Sequence, residues 1–225
     1  MSRAAKLFIL AAIAYCSILV FATAQQGDML LLDGKKYSIY TNPLAPYLET
    51  NPGKLPKSDV RSTALWRGYV ATWEVKDDHL LLVDVAILKS VSEADHKGVS
   101  TELSSVMSKM FPGGKAVPAN WFSGHIIVPN GKLVQYIHMG YASTYENYIV
   151  LRIEKGAVRR KWDTDAEGFI KFRESQFASY KNTDEYRKAL AESKKEGSMS
   201  PEQNEEFLRE FYSERYMSMI FEKSR

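Results

Sequence analysis

The chain has 225 residues, 45% of them hydrophobic and 25% charged, which is close to average globular usage and excludes a collagen-like repeat, a mostly disordered chain and a polytopic membrane protein. That length suffices for one large domain, or for one domain with a helical appendage, to bury a full core. With 30 basic residues against 27 acidic ones, the net charge of +3 offers no electrostatic argument for binding nucleic acid.

Arg3 and Lys6 precede an uncharged apolar run from Leu7 to Phe21, and Ala22-Thr23-Ala24 then supplies a small-x-small pattern. Residues 1–24 are therefore expected to be a cleaved secretory signal, which places the protein in a bacterial periplasm or outside the cell. A helix over that run reaches only about 22 Å, short of the roughly 30 Å hydrocarbon core, so no stable membrane anchor is expected after signal cleavage. Cys16, the single cysteine, lies in this leader behind bulky Tyr15, where a lipid-attachment motif would want a small residue. The remainder then carries no disulfide, no thiol chemistry and no Cys-ligated zinc.

From Met29 to Trp162 short apolar runs rich in β-branched and aromatic residues alternate with turn dipeptides, the signature of an antiparallel meander. Met29–Leu32 is expected to turn through Asp33-Gly34 into Lys36–Tyr40. Trp66–Val75 turns through 76–78 into Leu80–Ile87, Phe122–Val128 through Asn130-Gly131 into Leu133–Met139, and Tyr148–Glu154 through Lys155-Gly156 into Val158–Trp162. Between the first two hairpins, residues 42–56 hold four prolines and read as a loop with one helical turn near Leu44–Glu49. Ser100–Met110 reads as an inserted helix, with Leu103, Val106, Met107 and Met110 at spacings of three and four and Pro112-Gly113-Gly114 ending it. After Trp162 the period changes to about 3.6. Asp165 caps a helix to Tyr180, Thr183–Lys195 forms a second, and Ser200, Pro201 and Gln203 open a third that runs to about Lys223. The apolar stripe of this last helix is Leu208, Phe211, Tyr212, Tyr216, Met219 and Ile220, opposite an acidic column of Glu202, Glu206, Glu210 and Glu214. The expected fold is α+β: about eight antiparallel strands in four hairpins over residues 25–164, as a curved sheet or partly open barrel with the inserted helix 100–110. A C-terminal helical segment, 165–225, docks on the same domain.

Registering the third hairpin on Asn130-Gly131 places Ile126, Val128, Leu133, Ile137 and Met139 on a core face. The other face carries Ser123, His125, Ile127, Val134, Tyr136 and His138, with His125 and His138 as diagonal neighbours. Glu146 and Ser143 follow closely, so a hydrolase would use His125 or His138 as general base, Glu146 to orient it, and Ser143, Tyr141 or a water as nucleophile. The ordinary alternative is a half-exposed polar sheet face, because paired histidines on a strand are not a specific motif, and no G-x-S-x-G, H-E-x-x-H or phosphate loop accompanies them. Four histidines, only two of them placed together, do not make a metal site, and no cofactor is expected.

The densest aromatic segment puts Arg67, Tyr69, Ala71 and Trp73 on one strand face, where Arg67 either stacks and presents its guanidinium or ends a core strand. Trp66, Arg67, Trp73, Tyr136, Tyr141 and Tyr145 are thus the candidate binding residues. Arg152 and Arg159 are expected to face each other across the fourth hairpin, a like-charge pair that an acidic partner, Glu154 or Asp163 would compensate, the ordinary alternative being a solvated basic face. Together these features favour an exported, non-enzymatic binding protein of the cell envelope with a protein partner, an inhibitor or toxin-neutralising immunity-type protein among the options. The hydrolase, and a β-barrel carrier of a small apolar ligand, are the alternatives.

Overall fold

The computed structural model of the protein describes residues 25–92, 99–137, 141, 143–196 and 199–221. The first hairpin forms where its pattern requires: β1 (Asp28–Leu32) turns through Asp33-Gly34 into β2 (Lys35–Ile39). Both turn residues hold positive φ, 50° and 75°, the conformation that glycine adopts freely and whose twist matches the strands. A short helix, α1 (Ala45–Thr50), occupies the proline-rich loop. β3 (Val70–Lys76) and β4 (His79–Ser92) form the second hairpin, tightened to the two residues Asp77-Asp78. Trp66 and Arg67 precede β3 rather than belonging to it, directly after a 3-10 turn at Thr63–Leu65.

The helix expected over residues 100–110 is instead a strand, β5 (Val99–Ser105), followed by one helical turn, α2 (Met107–Met110). Serine, threonine and valine lend a helix little propensity, and the second half of the long β4 offers β5 a full ladder, so tertiary pairing overrides the apolar spacing. Leu103, on the expected stripe, is left 43% exposed. The hairpin expected at Asn130-Gly131 is also absent. After the short β6 (Val117–Pro118), β7 (Gly124–Gln135) runs straight through that dipeptide, which forms an irregularity between Asn130 and Leu133. Val128 consequently pairs with Ile149 of β8 (Thr144–Glu154), not with Leu133. An Asn-Gly pair serves a bulge as readily as a turn, because both need a residue at positive φ, here Gly131 at 82°. The fourth hairpin, β8 to β9 (Ala157–Asp165), turns through Lys155-Gly156, but an irregularity after Arg152 sets Arg160, not Arg159, opposite it.

The nine strands form one open, mixed sheet in the order β2-β1-β3-β4-β9-β8-β7, with β5 and β6 also paired to β4. Mixed, because β1 runs parallel to β3, where a purely antiparallel sheet was expected. The sheet curls until its two edges touch at one end. Tyr40 donates its backbone N–H to Ile127 O at 2.8 Å, and Thr41 Oγ1 donates to His125 O while accepting from Ile127 N, without a ladder that would close a barrel. Leu30, Trp73, Leu80, Leu82, Ile126, Val128 and Leu151 pack one face into the principal core.

Six helices are present among the described residues. Four of them, α3 (Ala166–Tyr180), α4 (Asp184–Glu196), α5 (Pro201–Phe211) and α6 (Ser213–Ser218), follow the sheet. Asp165 caps α3 by accepting from Gly168 N at 2.8 Å, and Ser200 with Gln203 closes a capping box on α5. The last helix is not continuous to Lys223: it breaks at Tyr212. Leu208, Tyr216 and Met217 bury with Phe177 and Tyr180 against Ile127, Tyr148 and Val150 on the second sheet face, whereas Phe211 is 56% exposed. The acidic column is not all solvent-facing either, since Glu210 pairs with Arg173 and Glu214 accepts from Asn42 Nδ2. No helix among the described residues is long and apolar enough to cross a membrane.

Candidate binding site

Where the tip of β7 and β8 meets α3 and α6, a pocket of about 270 Å³ opens between Tyr40, Tyr148, Phe169, Ile170, Val134 and Met217. Its walls are set by aromatic contacts. Tyr40 stacks on Tyr141 with ring centroids 4.8 Å apart and meets Tyr145 edge-on at 6.1 Å, while Tyr148 stacks on Phe169 at 3.6 Å. Rings in these geometries gain quadrupole attraction beyond their buried area and hold rigid walls. Their hydroxyls are tied in place: Tyr40 Oη donates to Tyr145 Oη at 3.4 Å, Tyr148 Oη accepts from Tyr145 N at 3.0 Å, and Tyr141 Oη donates to Asn42 Oδ1 at 3.1 Å. Burial pushes the Tyr40 and Tyr141 phenols well above their ordinary range, so both are neutral hydrogen-bonding groups.

Behind this wall lies a buried polar cluster. Asp28, fully buried at the start of β1, accepts from Arg67 Nη2 at 3.2 Å, Ala71 N at 3.0 Å and Trp73 Nε1 at 3.1 Å. Burial pushes its carboxyl up, and these three donors oppose that shift by holding the ionised form. Arg67, its side chain 5% exposed, also donates to Gln26 O at 2.7 Å and lies over the Tyr69 ring. Glu214 reaches in from α6 and is pushed up by burial, with Arg67 and Arg215 pulling the other way and Asp28 adding to the rise. Glu214 lines both this pocket and a neighbouring one of about 250 Å³ that holds Trp66, itself 68% exposed.

Of the residues singled out by sequence, Tyr141 and Ser143 line the tyrosine-walled pocket and Tyr145 packs on its wall, while Arg67 and Trp73 meet on Asp28 in the core. Tyr136 follows the β7 tip and is 52% exposed. Of the proposed catalytic residues, the structure does not bring His125, Ser143 and Glu146 together. Ser143 Oγ accepts from Ile137 N at 3.0 Å and donates to Ile137 O, closing its own loop. Glu146 is exposed and accepts from Lys132 N at the bulge. It lies six positions along β8 from Arg152, the residue opposite His125, which is roughly 20 Å of strand. His125 is buried edge-on against Trp162 and Phe172 at 5.9 and 5.3 Å, and burial lowers its pKa. No hydrogen bond joins these three side chains, and His138 lies outside the described residues. Among those residues no three His, Cys, Asp or Glu side chains are grouped to hold a metal.

Sequence reasoning missed Asp28, Asn42, Glu214 and the α3 residues Phe169 and Ile170. One signal was available: the alternation Asp28, Leu30, Leu32 puts the carboxylate on the buried face of β1. Compared with models of protein families, with curated proteins and with solved structures, the chain matches none.

Proposed function

We propose that this protein is an exported, non-enzymatic binding protein of the cell envelope that recognises another protein by seating an apolar side chain of it in the tyrosine-walled pocket. The observation that carries this reading is the pocket's rim. Val134 and Ile170, 63% and 55% exposed, line it, with Leu133 on the β7 tip and Tyr136 just after it 49% and 52% exposed. Large exposed hydrophobics gathered around a concave apolar site mark an interaction surface. A protein partner covers such a rim, whereas a small molecule inside the pocket would leave it in water. The carrier alternative has less support, because Trp73, Leu80, Leu82 and Ile87, all fully buried, fill the core where a barrel ligand would sit. If the seated group belongs to an enzyme or a toxin, this protein acts as an inhibitor- or immunity-type plug.

The test is affinity capture from envelope extract at low salt with wild type, Val134→Glu and Ile170→Glu as baits. A stoichiometric partner held by wild type and lost by both variants, at unchanged melting temperature, is the expected result. Recovery of no such partner, or equal recovery by all three baits, would sink the reading.

A further inference from the structure

A third pocket, of about 320 Å³, lies along the other side of α3 and has a different chemistry. Arg152 and Arg160 occupy directly opposed positions on β8 and β9 and both line it, together with His125, Trp162 and Phe172. Directly opposed like charges on one sheet face destabilise a ladder unless something neutralises them. Glu154 answers part of this charge: it accepts from Arg152 at 2.7 Å, but it is shared with Arg159 at 3.7 Å. Arg160 has no carboxylate partner among the described residues, and its guanidinium lies over the Trp162 ring at 4.9 Å. Deeper in, His125 is only 7% exposed and its Nδ1 is buried without a hydrogen-bond partner. Trp162, Phe172, Ile220 and Phe221 add apolar walls.

We propose that this pocket binds an organic anion: a carboxylate or phosphate group, held between Arg152 and Arg160, carried on an aromatic ring or short apolar chain that rests against Trp162 and Phe172. Paired guanidinium groups match such head groups through charge-assisted hydrogen bonds, and a bound anion neutralises the opposed arginines. The opposing pull of Glu154 is confined to the Arg152 side, so Arg160 is the dominant contact. The inference is independent of the partner-binding pocket, which shares no lining residue with this one.

The probe is naphthalene-2-carboxylate, titrated calorimetrically into wild type and Arg160→Gln, with naphthalene-2-methanol as the neutral isostere and inorganic phosphate as the free anion. Arg160 is exposed at the rim and its charge opposes that of Arg152, so its substitution leaves the fold intact and does not lower the melting temperature. The expected result is one saturable site for the carboxylate, weakened roughly tenfold or more by Arg160→Gln, by raised salt, and by replacement with the neutral isostere. The Trp162 indole resonance shifts on binding in a nuclear magnetic resonance titration. Absence of saturation, equal affinity for the neutral isostere, or an unaffected Arg160→Gln variant would overturn the proposal. Phosphate binding as tightly as the carboxylate would do so too, since the apolar walls would then have no part.

Discussion

Leu208 and Phe211 stand one helical turn apart on the apolar stripe of α5, yet only Leu208 is buried, and truncating each measures that difference. Leu208 is fully buried in the cluster that joins α5 and α6 to Tyr148 and Val150, so Leu208→Ala removes buried methyl groups and leaves a cavity. Such substitutions cost about 2–5 kcal/mol, which for a chain of this size lowers the melting temperature by roughly 4–20 °C. Phe211 is 56% exposed and touches Phe207 in a stacked pair at 4.4 Å. Its truncation to alanine is worth no more than about 1 kcal/mol. Thermal unfolding followed by circular dichroism, with urea titration to check that the m-value is constant, reads both. Equal losses for the two variants, or a larger loss for Phe211→Ala, would refute the account of how the C-terminal helices dock.

Two further tests address the polar cluster. Asp28→Asn should destabilise the fold by about 3–5 kcal/mol in urea unfolding, because it strands the buried Arg67 charge; a loss below about 1 kcal/mol would show that the pair is dispensable. Glu214 has a raised pKa in the folded state, so its protonated form suits the fold. Its contribution is full below the ordinary glutamate value of 4.5 and is lost as pH rises through the raised value. Wild type should therefore lose stability relative to Glu214→Gln as pH climbs above 4.5, and a difference that stays constant on both sides of that value would contradict the burial argument.

Local signals decided a good part of this molecule. Asp33-Gly34 and Lys155-Gly156 each set two adjacent residues at positive φ, and the hairpins they close follow from that chemistry wherever the strands end up. Asp165 and the Ser200–Gln203 box likewise start their helices through hydrogen bonds made within a single turn. On β7, alternation alone separates Ile126 and Val128 from His125 and Ile127: the first two enter the principal core, Ile127 enters the second, and His125 lies against Trp162 and Phe172. The same alternation brings Ala71 and Trp73 inward on β3, whereas Arg67 and Tyr69 reach the interior from the segment before it.

What the sequence left open is what depends on a distant partner. Asn130-Gly131 is compatible with a turn and with a bulge, and only the backbone of β8 alongside β7 selects the bulge; with it Val128 moves from the expected pairing with Leu133 to Ile149. Residues 100–105 carry a helical spacing, yet the exposed edge of β4 recruits them as a strand because ladder hydrogen bonds outweigh weak propensity. The pocket is the extreme case. Tyr40, Tyr148, Phe169, Ile170 and Met217 come from two edge regions of a curled sheet and two helices. No spacing in the chain relates them, since it is the curl of the sheet and the break at Tyr212 that bring them to one place.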